Sequence, residues 1–158
     1  MKTYRIEIKW AIIFALTLLL WMWGEKALGF HDEHIDQHMI ITSFFYIPAI
    51  TLYVLAILDK RKRSYDGKMT YRQGLITGLV LSGIFTLFVP LLQVITSLVI
   101  TPQYFKNVIT YAVEHDIMTL EAAQDQFNLT SYIIQGMISF PITGAITSAI
   151  VAIFTRRK

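Results

Sequence analysis

Residues 71–100 read YRQGLITGLVLSGIFTLFVPLLQVITSLVI, and from Gln73 to Phe105 no side chain carries a charge. The hydrocarbon layer of a bilayer is about 30 Å thick and a helix rises about 1.5 Å per residue, so about 20 apolar residues cross it. A charge at the centre of such a helix costs about 2.5–3.5 kcal/mol on insertion. An uninterrupted run of this length therefore reads as a membrane-spanning helix. Working outward, residues 39–58 form a second such run between His38 and Asp59, and residues 126–155 a third before Arg156. Residues 10–24 form a shorter one between Lys9 and Glu25, which must borrow residues at both ends.

Composition agrees with this reading. Of the 158 residues, 54% are hydrophobic and only 16% are charged, against about 25% charged in a soluble domain. Too little polar surface remains to cover a water-soluble globule with buried core helices. Disorder is excluded by the same apolar content, and a disulfide-stapled fold by the absence of cysteine. The expected architecture is all-α: an integral membrane four-helix bundle in one domain over residues 1–158, with spans at about 6–28, 39–58, 71–100 and 130–154. A cleaved signal peptide is the alternative for the first span, from its basic start and the loosely small-x-small Ala27-Leu28-Gly29. The bulky Trp21, Met22 and Trp23, followed by Glu25 and Lys26, fit better as the interfacial end of a retained helix.

Charge sets the expected threading. Twelve of the fourteen Lys and Arg residues lie at the N-terminus (Lys2, Arg5, Lys9), in the middle connector (Lys60, Arg61, Lys62, Arg63, Lys68, Arg72) and at the C-terminus (Arg156, Arg157, Lys158). Eight of the eleven acids fall in the other two connectors: Glu25, Asp32, Glu33, Asp36, Glu114, Asp116, Glu121 and Asp125. Basic flanks stay on the cytoplasmic side, so both termini and the middle connector are expected inside. Anionic lipid headgroups account for the Lys60–Arg63 run without a nucleic acid.

Within the spans, Gly74, Gly78 and Ser82 recur every four residues, as do Gly144, Ser148 and Ala152. Small residues at that spacing make a flat stripe along which helix backbones approach closely. The stripes suit packing within one chain or in a homo-oligomer. Pro48, Pro90 and Pro141 fall at similar depths in their spans, and each proline removes a backbone donor and crowds the carbonyl four residues earlier. Either ordinary bends or a kinked waist follows. Gln93 and Gln135 also share a depth, and are expected to hydrogen-bond to each other or through a water. No ionisable residue lies in the central part of any span, which argues against a proton-coupled pump.

The first acidic connector reads His31-Asp32-Glu33-His34-Ile35-Asp36-Gln37-His38. In a continuous helix His31, His34 and His38 share a face, a spacing able to hold a divalent metal such as zinc. A solvated acidic cap is the plainer reading. No metalloprotease motif is present, because Ile35 stands where H-E-x-x-H needs glutamate. In the second acidic connector, Thr101 followed by Pro102 signals a helix start, with Phe105, Val108, Ile109 and Ala112 on one face. Asp116 interrupts, and Thr119 caps a second short helix through about Phe127. An amphipathic helical pair on the outer side, over residues 102–127, is the expectation. The Asn128-Leu129-Thr130 tripeptide abuts a span and is a weak glycosylation signal.

Thr101-Pro102-Gln103-Tyr104-Phe105, Met118-Thr119-Leu120-Glu121-Ala122-Ala123, Phe127-Asn128-Leu129-Thr130-Ser131-Tyr132 and the ending Ile150-Val151-Ala152-Ile153-Phe154-Thr155-Arg156-Arg157 carry a resemblance. Together with Phe45-Tyr46-Ile47-Pro48 and Arg72-Gln73-Gly74, they make the chain similar to the bacterial "domain of unknown function 4199" membrane proteins. The resemblance implies a multi-pass inner-membrane protein and supplies no activity, cofactor or catalytic residue. The ends of the second and fourth spans are alike, yet the prolines and these endings align at different offsets, so an internal duplication is weakly supported.

The functional expectation is a non-enzymatic membrane component that interacts with lipid, with protein partners or with a second copy of itself. No nucleophile–base pair is evident from the sequence, and no cofactor is expected. The rival reading is a small-solute transporter or channel working through the proline-kinked waist.

Overall fold

Backbone groups inside a bilayer find no water, so an apolar run must satisfy them internally, and the helix does so within one segment. The computed structural model describes residues 4–157; Lys2 and Lys158 lie outside the described residues. Its helices are α1 (Arg5–Ala27), α2 (His38–Ser43), α3 (Tyr46–Ser64), α4 (Tyr71–Ile95), α5 (Tyr104–Glu114), α6 (Leu120–Gln126) and α7 (Leu129–Thr155). A 3-10 turn at Ile35–Gln37 leads into α2, and a π-helical turn at Thr96–Ile100 prolongs α4. Among the described residues there is no strand, only an isolated bridge between Met69 and Arg157. Four helical stretches are long and apolar enough to cross a membrane: Arg5–Ala27, Ile35–Ser64, Tyr71–Ile100 and Leu129–Thr155.

Local chemistry explains where these helices begin and end. At α4, Thr70 and Gln73 form a reciprocal capping box: Thr70 N donates to Gln73 Oε1 at 2.8 Å, and Gln73 N to Thr70 Oγ1 at 3.3 Å. Asn128 Oδ1 accepts from Ser131 N at 2.9 Å and starts α7, while the amide nitrogen of Asn128 donates to Gln124 O and Asp125 O. Thr119 Oγ1 accepts from Ala122 N and starts α6. Asp116, at φ +54°, reverses the chain after α5, with Ile117 N bonded to Ala112 O and Asp116 N to Val113 O.

Two sequence expectations change. Thr101 does not cap α5: the helix starts at Tyr104, and Thr101 N instead donates to Thr96 O at 2.8 Å, closing the π-helical turn. The second span is not one continuous helix. It tightens at Phe44 and Phe45, whose amides bond to Ile41 O and Thr42 O, and restarts at Tyr46. The restart puts Pro48 in the first turn of α3, where its missing donor has no intrahelical role. Pro48 therefore opens a helix instead of kinking one mid-span, whereas Pro90 and Pro141 do lie inside α4 and α7.

The chain groups into two compact units. The first takes residues 4–16, 46–88 and 137–157. In it the two small-residue stripes face each other in antiparallel register. Gly74 lies against Ala152, Gly78 against Ser148, and Gly144 against Ser82 and Tyr53; a Cβ built at Gly78 or Gly144 would overlap its neighbours. Tyr53 Oη and Ser82 Oγ are 2.6 Å apart in the buried seam. Phe14 packs on Phe85 with ring centroids 4.5 Å apart, and Phe85 on Phe140 at 4.9 Å. Helix ends and connectors are joined by charge: Lys60 Nζ meets Glu7 Oε1 at 2.8 Å, and Asp59 accepts from Lys9, Trp10 and Arg63. Arg61 donates to Thr155 O at 2.7 Å, and Met69 and Arg157 exchange both backbone hydrogen bonds at 2.8 Å.

The second unit takes residues 17–45 and 89–136. It contains α2, α5, α6 and the three turns that follow α1, precede α2 and follow α4. Its core is more polar than that of the first unit, and it holds the site.

Candidate functional site

Glu25 is the only acid in the last two turns of α1, and it is buried at 3% relative exposure. The residues after it decide what surrounds it. Leu28 ends the helix, and Gly29 takes φ +80°, a conformation open to glycine because it has no Cβ. Phe30 N then bonds to Glu25 O and Gly29 N to Lys26 O, the paired closure of a left-handed helix end. This reversal carries His31 back beside the carboxylate it has just left. His31 is 1% exposed, and its Nε2 lies 3.2 Å from Glu25 Oε2. His38, at the start of α2, brings its Nε2 to 3.4 Å from the same oxygen.

The other carboxylate oxygen is held separately. Glu25 Oε1 accepts from Trp21 Nε1, one turn earlier, and from Thr42 Oγ1 at 2.8 Å. Since the Thr42 hydroxyl donates to Glu25, it can only accept at its 3.2 Å contact with His38 Nε2. In a singly protonated imidazole that puts the His38 proton on Nε2 and leaves Nδ1 to accept. Tyr104 Oη, 3.4 Å from His38 Nδ1, supplies the donor, and itself lies 3.1 Å from Tyr132 Oη. Burial, reinforced by Tyr132 and by the Glu25 charge, raises the Tyr104 phenol well above its ordinary pKa of 10.0. It thus stays a donor. His31 and His38 both set their rings against Tyr104, at centroid distances of 5.3 and 5.0 Å. Asn107 of α5 fixes the loop by donating to His31 O at 3.0 Å and Asp32 Oδ1 at 2.8 Å.

One atom is left over. His31 Nδ1 is buried with no hydrogen-bond partner among the described residues. A cavity of about 100 Å³ nearby is lined by Lys26, His31, Asp32, Thr101 and Tyr104 among others. A larger open concavity of about 760 Å³ is bordered by Asp32, Glu33, Asp36 and Glu114, with Lys106 and His115 on its rim. The donors able to hold a metal are Glu25, His31 and His38, whose ligating atoms all lie within 4.8 Å of one another.

Of the three histidines singled out by spacing, His31 and His38 come together and His34 does not. The connector is a turn followed by a 3-10 turn, so the i, i+3, i+7 face of a continuous helix never forms. His34 is exposed, its ring 6.1 Å from that of Phe30. Spacing alone does not single out Glu25, because a charge at the edge of a span needs no special explanation. Its signal was Trp21 four residues earlier, which places an indole donor on the same helix face. No direct hydrogen bond joins Gln93 and Gln135 among the described residues, and Gln135 is exposed.

The class that these helices define is the multi-span helical membrane protein. Within that class the chain belongs to the family described as "Protein of unknown function (DUF4199)", whose family model matches residues 9–157. No curated protein and no solved structure matches the chain.

Proposed function

We propose that the protein is a non-enzymatic multi-span component of the bacterial inner membrane, with both termini and the α3–α4 connector cytoplasmic. It interacts with lipid and with protein partners. The observation that carries this reading is the pattern of exposed apolar ridges. On α7, Ile134, Ile138, Ile142, Ile146 and Ile150 are each more than half exposed and follow one another every four residues. On α1, Ile8, Ile12, Leu16 and Leu20 follow the same spacing at 43–67% exposure. A soluble monomer rarely exposes contiguous apolar surface on this scale, whereas lipid tails cover it at no cost.

The charge belt of the first unit supports the threading. Residues from the start of α1, the end of α3, the connector and the end of α7 are tied together there by Glu7–Lys60, Lys9–Asp59, Arg61–Thr155 and Met69–Arg157. The basic segments therefore share one end of that unit, as one membrane face requires. The chain has no cysteine, so single-cysteine labelling is clean. Lys62→Cys is expected to resist an impermeant thiol reagent applied to intact cells, and Asp116→Cys to react; the reverse pattern overturns the threading. The transporter reading has lost Pro48 from its waist, and solute flux above that of empty liposomes is the result that would revive it.

A further inference from the structure

We propose that Glu25, His31 and His38 form a binding site for a divalent transition-metal ion of the zinc class. Zinc takes imidazole nitrogen at about 2.0–2.1 Å and carboxylate oxygen at about 2.0–2.2 Å, so neighbouring ligands in a tetrahedral site stand about 3.3 Å apart. The two observed edges, His31 Nε2 and His38 Nε2 to Glu25 Oε2, measure 3.2 and 3.4 Å. The third edge closes with a small movement, since all three donors already lie within 4.8 Å of one another. Two imidazoles and a carboxylate leave a fourth position for water. This donor set favours zinc and its neighbours over magnesium or calcium, which take oxygen ligands.

The surroundings are those of a supported site. Trp21 and Thr42 hold the non-ligating oxygen of Glu25, and Tyr104 holds the far nitrogen of His38. Such outer contacts orient ligands. The protons also have places to go. When each Nε2 turns to the metal, its proton moves to Nδ1. On His38, Nδ1 then donates to Tyr104 Oη, whose own proton turns toward Tyr132. On His31, the proton moves to the partnerless Nδ1. No net proton is released from neutral imidazoles. The concavity bordered by Asp32, Glu33, Asp36 and Glu114 concentrates cations near the site.

The test uses the full chain purified in mild detergent and stripped with a chelator. Zinc chloride is titrated in competition with a chromogenic chelator, with magnesium chloride as the control. The wild type is expected to take up about one zinc saturably and no magnesium. Glu25→Gln, His31→Gln and His38→Gln are each expected to bind at least about tenfold more weakly, and His34→Gln as the wild type does. His31 is deeply buried and its variant can fail on folding grounds, so zinc-edge X-ray absorption of the wild type gives an independent reading. Two imidazoles with oxygen ligands support the site; a shell without imidazole overturns it. So does an absence of saturable binding by folded wild type, or a loss in His34→Gln equal to that in His38→Gln.

Discussion

Glu7 and Glu25 are equally buried, each at 3% exposure, and each belongs to a different compact unit. Glu7 faces the Lys60 side chain, with Nζ 2.8 Å from Oε1. Glu25 faces two imidazoles, a hydroxyl and an indole, none of which must be charged. The contrast extends to the packing. The first unit closes its helices with glycine against serine and alanine, while the second is built from turns, caps and ring contacts around a polar centre. A carboxylate opposite lysine joins helix ends. A carboxylate opposite two imidazoles can exchange its partners for a metal ion. The lesson is that burial alone does not mark a functional acid; the exchangeability of what faces it does.

The largest expected effect tests the fixed pair. Lys60→Ala leaves Glu7 buried without its partner, and is expected to cost about 3–5 kcal/mol in unfolding measured in mixed micelles. His38→Gln, which keeps a donor beside Glu25, is expected to cost less than about 1.5 kcal/mol. Equal costs would erase the distinction between the two acids. Next comes the seam. Gly78→Val must push into Ser148, for about 1–3 kcal/mol of destabilisation. Gly83→Ala, with nothing within 4 Å of the new methyl, is expected to be neutral or to stabilise by up to about 1 kcal/mol.

Two smaller effects sharpen the second unit. Gly29→Ala has space for its methyl but puts a Cβ at φ +80°, which costs about 1–2 kcal/mol and loosens the approach of His31 to Glu25. Tryptophan fluorescence of Trp21 beside Glu25 reports that loosening, and an unchanged spectrum with unchanged stability contradicts it. Tyr104→Phe removes one phenol from the His38–Tyr132 chain, for about 1 kcal/mol at neutral pH. It also changes the alkaline limb. Because the folded state holds the Tyr104 proton above the ordinary value of 10.0, its contribution is complete below that pH and is lost as the pH rises beyond it. The variant is therefore expected to lose stability less steeply above about pH 10.

Much of the fold was legible because a charge-free run of sufficient length has few other uses, and the start at Thr119 followed from capping chemistry alone. The break at Phe44–Phe45 was not, since apolar periodicity cannot tell one helix from two consecutive ones. Pro48 was the clue, read as a bend when it was a beginning. The histidines at 31 and 38 were legible as residue types, but their partner was hidden. Spacing along a presumed helix pointed to His34, whereas the left-handed residue at 29 turned the chain toward Glu25. Sequence distance predicts contact only where the backbone path between the two residues is known.

The three donors at 25, 31 and 38 span a stretch of chain shorter than α3. Closing so short a loop costs little entropy and needs no distant segment to arrive first. The centre can therefore take shape once α1, its return turn and α2 exist, while the later helices are still being added. The carboxylate then spends little of the chain's synthesis without partners, and α5 arrives to find the histidines already placed.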